Sequence, residues 1–206
     1  MSMRILLVYG TRYGQTAKIA ERIRETLAEH YHDVVVANAN ADGGTLDAAG
    51  FDGVIVGASV IGGLHQSAVQ DFVARNRATL NATPSAFFSV SGSAGSADAG
   101  VRAEARVLLN KFLTASGWSP RVTAAIAGAI NYTQYSPVIR WISKRVHRRI
   151  GCPIDTSRDW ELTDWAQVTH FARDIERALV VTQICAEARA SVGTATAGYV
   201  DSLRRA

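Results

Sequence analysis

Short runs of β-branched and aliphatic residues alternate along the chain with longer stretches in which apolar residues recur every three or four positions. The short runs predict five strands, at Arg4–Tyr9, Val34–Ala37, Gly53–Gly57, Ser85–Val90 and Val122–Ala129. Ile19, Ile23 and Leu27 share one helical face after the first strand, Val69, Phe72 and Val73 after the third, and Ala105, Leu108, Leu109 and Phe112 after the fourth. From about Asp164 a last helix carries Trp165, Val168, Phe171, Ala172, Ile175 and Leu179 in one stripe. Thr163 or Asp164 is placed to cap it, and Gln167 to complete a capping box on Asp164. Strands alternating with helices predict an α/β domain over about residues 1–180, a doubly wound parallel sheet covered on both faces. With five strands and no sixth, the expected spatial order is 2-1-3-4-5. Residues 131–160 exceed an ordinary connection and read as an insertion before the last helix. Residues 181–206 read as an extension, an extra helix or a frayed tail, with a basic end at Arg204 and Arg205.

In a doubly wound sheet the ligand sits beyond the carboxyl ends of the strands, where the order reverses. Three predicted loops meet there, Gly10–Thr16, Ala58–His65 and Ser91–Gly100, all rich in Gly, Ser or Thr. The first, Thr11-Arg12-Tyr13-Gly14-Gln15-Thr16, follows a buried strand and opens a helix, where unpaired N–H groups and the helix dipole attract phosphate. Gly14 permits close backbone approach and a positive φ. The loop lacks both the Lys-Ser/Thr end of a Walker loop and GxGxxG, which disfavours nucleoside triphosphates and dinucleotides and leaves a single terminal phosphate, as on FMN. Alone, the pattern equally suits Thr and Gly capping a helix. The convergence of two further polar loops tips it toward a ligand, and adds Ala58, Ser59, Gly62 and Gly63, then Ser89, Val90, Ser91 and Gly92, as candidate cofactor contacts.

Composition changes the picture only locally. Across 206 residues, 48% are hydrophobic and 19% charged, an ordinary globular balance. No stretch reaches the ~20 apolar residues of a membrane span. Ile5–Tyr9 is too short for a secretory signal, which makes the cytosol the expected compartment. Cys152 and Cys185, without CxxC or a histidine pair, read as reduced thiols and not as a metal site. The net charge of +4 is smaller than the contribution of Arg140, Lys144, Arg145, Arg148 and Arg149 alone, so the excess is confined to the insertion.

There, Ser136–Ile150 predicts a helix with Val138, Ile139, Ile142, Val146 and Ile150 on one face, Arg140, Lys144, His147 and Arg148 opposite, and Trp141 at the border. A basic amphipathic helix with an aromatic suits a segment lying on an anionic membrane surface, and equally an ordinary helix packed on its apolar face. Its cations also suit pairing with carboxylates of a substrate. One short patch without interleaved stacking aromatics gives no case for nucleic acid. His65 reads as a surface or flavin-edge residue, and Asp155 and Asp159 as turn formers.

The loop Thr11–Thr16 resembles the phosphate loop of flavodoxins, and further stretches narrow the likeness. Val56-Gly57-Ala58-Ser59, Ser67–Val73, Pro84-Ser85-Ala86-Phe87-Phe88-Ser89-Val90, Ile126–Ala129, and Asp155-Thr156-Ser157-Arg158 before Thr163-Asp164-Trp165 look like the flavodoxin-like, quinone-dependent protoporphyrinogen oxidases of haem biosynthesis. The resemblance spans about Met3–Leu179. It implies a flavodoxin-like fold, FMN as cofactor, protoporphyrinogen IX as electron donor and a membrane quinone, menaquinone or ubiquinone, as acceptor. It also implies that backbone amides of the second and third loops tune the flavin. Ile61 and Gly62 stand where this family carries a basic residue and an aromatic, so an aromatic wall is expected from Tyr132 or Trp160 instead. Arg140, Lys144, Arg145, Arg148 and Arg149 are the expected substrate or membrane contacts, with peripheral attachment to the inner face of the cell membrane as the companion expectation. No side chain is assigned as acid or base. The alternatives are a flavodoxin electron carrier, which the sequence pI near 9.3 disfavours because carriers are typically acidic, an NAD(P)H-dependent quinone reductase of the same fold, and a flavin-free binding module.

Overall fold

The structure, a computed structural model, describes residues 2–41 and 44–204. Five long strands form one parallel sheet: β1 (Arg4–Gly10), β2 (Asp33–Asn38), β3 (Gly53–Ile61), β4 (Ser85–Ser91) and β5 (Val122–Ala127). Their order is β2-β1-β3-β4-β5, which places the switch point between β1 and β3, as the strand count predicted. The central strands read as unbroken apolar runs because both their faces are covered.

On one face α1 (Gln15–Ala28) and α5 (Trp165–Arg204) bury Ile19, Ile23, Leu27, Phe171, Ile175 and Leu179 against the sheet. On the other, α2 (Ser67–Ala82) and α3 (Ala99–Ser116) bury Val69, Phe72, Val73 and Leu109. α4 (Pro137–Arg149) belongs to the segment between β5 and α5. That segment has a small core of its own, Ile130, Tyr132 and Cys152, with Trp160 and Leu162 packed against it.

The chain departs from the sequence expectation at four places. β3 runs past Gly57 to Ile61 and folds back through Gly62 and Gly63 to pair with Leu64–His65. Both glycines have positive φ, 59° at Gly62 and 82° at Gly63, the conformation that a tight hairpin turn demands. β5 ends at Ala127, because at Gly128 the backbone leaves the sheet and Ala129–Ile130 pairs instead with Trp160–Glu161, closing the inserted segment at its base. Asp164 caps α5 through the amides of Ala166 and Gln167, but Gln167 makes no capping box, since its side chain donates to the Ala125 carbonyl. Finally, α5 continues through the extension as one helix, no glycine or proline interrupting residues 165–192. Of the basic end, Arg205 lies outside the described residues.

Candidate functional site

A cleft of about 340 Å³ opens beyond the carboxyl ends of β1, β3 and β4 and is closed on its outer side by α4. Its size suits a small-molecule ligand. The first loop contributes Thr11, Tyr13, Gln15 and Thr16, the second Ser59, Val60, Ile61 and Gly62, and the third Val90, Ser91 and Gly92.

At its polar corner α1 begins on Gly14, whose φ of 90° no other residue type adopts readily, and no side chain caps the helix start. Thr11 is turned back on its own loop, its Oγ1 accepting the Gly14 amide at 3.0 Å. The first-turn amides of α1 are therefore free to meet an anion. Thr16 is 1% exposed, lines the cleft, and its hydroxyl has no partner among the described residues. An unpaired buried hydroxyl is costly in isolation, and this one opens on the cleft beside the first-turn amides of α1. Gln15 is locked beside it, donating from Nε2 to Thr163 Oγ1 at 2.8 Å, while Thr163 donates to the Ala127 carbonyl.

The opposite character comes from α4. Ile139, Ile142 and Val146 turn into the cleft with Ser143 and His147. Ser136 caps the helix by accepting the Ile139 amide, and Arg140 donates from Nε to the Tyr132 carbonyl and from a terminal nitrogen to that of Tyr135. Tyr135 packs on Tyr13 with ring centres 5.0 Å apart, and Asn131 fixes the Tyr13 carbonyl from the other side. Tyr132 is fully buried beneath. Its hydroxyl meets the Pro153 carbonyl at 2.9 Å and His147 Nδ1 at 2.8 Å, and burial pushes its phenol up to about 12.

The profile of the flavodoxin-domain family matches residues 6–153, and the protoporphyrinogen IX dehydrogenase [quinone] of Escherichia coli strain K12 is 35% identical over 173 residues, covering 84% of this chain and 94% of that protein. The chain belongs to the flavodoxin family, among the protoporphyrinogen IX dehydrogenases. A protein of the same name from Leishmania major is 34% identical over 176 residues, covering 84% of this chain and 74% of its own. Among solved structures, oxidised flavodoxin 1 of Bacillus cereus superposes with a TM-score of 0.51 at 14% identity, over 84% of this chain and 97% of its own, a likeness of fold.

For a flavodoxin-family chain the cofactor is a flavin, and the unpaired Thr16 hydroxyl with the uncapped start of α1 fits the phosphate of one. The other residues singled out in the sequence are scattered more widely. Arg12 is exposed, its guanidinium 5.8 Å from the Tyr13 ring centre. Ala58 is buried in β3, Gly63 sits at the exposed hairpin tip, and Ser89 is turned away to His65 Nε2 at 2.9 Å. His65, expected at the surface or the flavin edge, is instead a buried residue packed against the stacked pair Phe87 and Phe112, and burial lowers its pKa to about 4. Asp155 closes a turn on Ser157 as expected, whereas Asp159 forms no turn of its own and instead accepts the backbone amide and the hydroxyl of Thr133, 26 residues earlier.

Three expectations about the insertion are corrected by its packing. Tyr132 does not line the cleft, because its hydroxyl is drawn under α4; the aromatic wall is made by Tyr13 and Tyr135, and Trp160 is held away by its donation to the Asp155 carbonyl. Arg140 is no free surface cation, since two backbone carbonyls take its guanidinium. His147 belongs to the inner face of α4, not with the cations. Lys144, Arg145, Arg148 and Arg149 remain on the outer part of the helix, with Arg145 set 5.7 Å from the Trp141 ring centre.

Proposed function

We propose that this protein uses FMN to oxidise protoporphyrinogen IX to protoporphyrin IX in haem biosynthesis and passes the electrons to a membrane quinone, menaquinone or ubiquinone. The observation that carries the reading is the union in one cleft of a phosphate-ready polar corner at Thr16 with an added apolar wall on α4. A plain electron carrier needs the corner alone. The names of the relatives supply the substrate and the acceptor.

In this reading Thr16 and the first-turn amides of α1 hold the phosphate, and the walls at Ser59–Gly62 and Val90–Gly92 bracket the ring. FMN supplies the two-electron redox chemistry when bound. Ile139, Ile142 and Val146 shed water from the cleft and offer an apolar surface to a flat macrocycle. Lys144, Arg145, Arg148 and Arg149 put positive charge at the rim, suited to propionates or to anionic lipid headgroups. Val138 and Trp141, 67% and 63% exposed beside these cations, make α4 the face that would rest on the membrane where quinone resides. No helix among the described residues is long and apolar enough to cross a membrane, so such contact would be peripheral.

The test is anaerobic addition of protoporphyrinogen IX to the flavin-loaded protein with a menaquinone analogue, following porphyrin fluorescence. Turnover well above a free-FMN control is expected, and a rate equal to the control refutes the assignment. Steady NADPH oxidation with quinone and no porphyrin formation would establish the quinone-reductase alternative. For the membrane face, the Arg145→Gln, Arg148→Gln, Arg149→Gln triple variant should lose co-sedimentation with vesicles containing phosphatidylglycerol while the wild type pellets with them; equal sedimentation removes the membrane role.

A further inference from the structure

We infer that His147 is a substrate-recognition residue, presenting a bare Nε2 that accepts a hydrogen bond from a pyrrole N–H of the reduced tetrapyrrole. The inference rests on the porphyrinogen reading above. It begins with a count of protons. The Tyr132 hydroxyl has one hydrogen and two neighbours, the Pro153 carbonyl at 2.9 Å and His147 Nδ1 at 2.8 Å. A carbonyl can only accept, so the phenol's hydrogen goes to Pro153, and the bond to His147 requires that Nδ1 carry the proton and donate. Neutral imidazole then has its lone pair on Nε2.

His147 lines the cleft, and its Nε2 stands beside Gly92 of the third loop, which also lines it; a methyl group built on that glycine would lie 3.8 Å from Nε2, so the absence of a side chain there leaves the nitrogen open to the cleft. The surroundings preserve this state, because burial lowers the His147 pKa and keeps the ring neutral at pH 7. Nearby titratable groups are Tyr132 from the turn before α4, Tyr135 and Tyr13 along the cleft, the Cys152 thiol from the strap after α4, and the cations Lys144 and Arg148 on α4 itself. Burial pushes Tyr132, Tyr135 and Cys152 upward, away from the range in which a histidine titrates.

The chemistry favours the substrate as donor. α4 lies in the segment added to the five-strand plan, so what it brings to the cleft serves a ligand that a flavin carrier lacks. Beside the apolar stretch Ile139, Ile142 and Val146, α4 brings two polar side chains to the cleft, Ser143 and His147, and His147 is the one that offers a ring nitrogen as acceptor. Every ring of a porphyrinogen offers an N–H, and its puckered macrocycle lets them point outward. In the flat porphyrin some nitrogens become imine acceptors and the remaining N–H groups turn inward. A fixed acceptor thus favours the reduced macrocycle over the oxidised one.

The experiment uses the full-length protein with its flavin reduced under anaerobic conditions, so that protoporphyrinogen IX binds without turnover. His147→Phe should weaken protoporphyrinogen IX about 3- to 10-fold, the size of one hydrogen bond, and leave FMN affinity within about twofold. His147→Gln, which keeps an acceptor oxygen, should restore most of the loss. Wild-type affinity should fall as acidification below the ordinary imidazole range charges the ring, while His147→Gln lacks that component. Long-range ¹H–¹⁵N spectra should show Nδ1 protonated and Nε2 bare. Equal affinity for wild type and His147→Phe, or a protonated Nε2 at pH 7.5, overturns the inference and leaves the oxidase assignment standing. Failure of the wild type to bind protoporphyrinogen IX overturns both.

Discussion

Thr16 and His65 are both buried polar residues, and their partners separate their roles. Thr16 has none among the described residues, and an unpaired buried hydroxyl weakens the ligand-free protein. Thr16→Val should leave the melting temperature of the flavin-free protein unchanged or raised while weakening FMN roughly 10- to 100-fold, the worth of a hydrogen bond to a charged group. Fluorescence titration and thermal melts on one preparation read both, and a variant that loses stability without losing affinity would reduce Thr16 to a packing residue. His65 is satisfied by Ser89 and held neutral by burial, with its pKa lowered from 6.5 to about 4. Between those values the unfolded chain binds a proton that the folded one refuses, so stability present above pH 6.5 is lost as the pH falls toward 4. His32, also lowered by burial although Glu176 opposes the shift, acts in the same direction. Urea unfolding at pH 7.5, 5.5 and 4.5 should show a decline that His65→Gln makes shallower; an identical slope in the variant would place the acid sensitivity elsewhere.

At the level of elements, α4 decides how far this cleft differs from a simple flavin site. Its periodicity was plain in the sequence, and Pro137–Arg149 lies within the stretch that the pattern predicts. Its orientation was not, because period and charge say which residues share a face but not what that face meets. Arg140 and His147 show the difficulty: both look like members of a solvated basic face until backbone carbonyls and a buried phenol claim them. The hairpin at Gly62–Gly63 was hidden for another reason, since its strand ends are too short to carry an alternating pattern. Arg140 also offers a way to loosen α4 alone. Arg140→Met keeps much of the aliphatic stem but frees the carbonyls of Tyr132 and Tyr135, and should speed amide exchange along α4 about 5- to 30-fold without touching α1 or α5. Uniform acceleration across all helices would mean that Arg140 supports the whole fold and not this wall.

For the whole molecule, the sheet order was legible because strands buried on both faces and helices of amphipathic period are strong signals, and the strand count then leaves few orders open. The position of the polar corner was legible because it follows a strand and opens a helix within six residues, a local arrangement. The cleft as a whole was not, since its other walls come from Val60, Ile130 and Ile142, far apart in the chain and unremarkable in type, although the sequence already marks Val90 and its neighbours as candidate contacts. Because loops from three strands and α4 meet at this cleft, a ligand there adds contacts between segments far apart in the chain. Binding to the folded state alone must then raise its stability. FMN at a hundred times its dissociation constant should add about 2.7 kcal/mol, a rise in melting temperature of roughly 5–10 °C for a chain of this size. Riboflavin, which lacks the phosphate, should raise it far less at the same concentration, and Thr16→Val should keep less than about half of the FMN effect by the same linkage. If riboflavin matches FMN, the ring alone drives binding and the corner at Thr16 is not a phosphate site; if only the Thr16 variant behaves as wild type, the helix amides hold the phosphate without it.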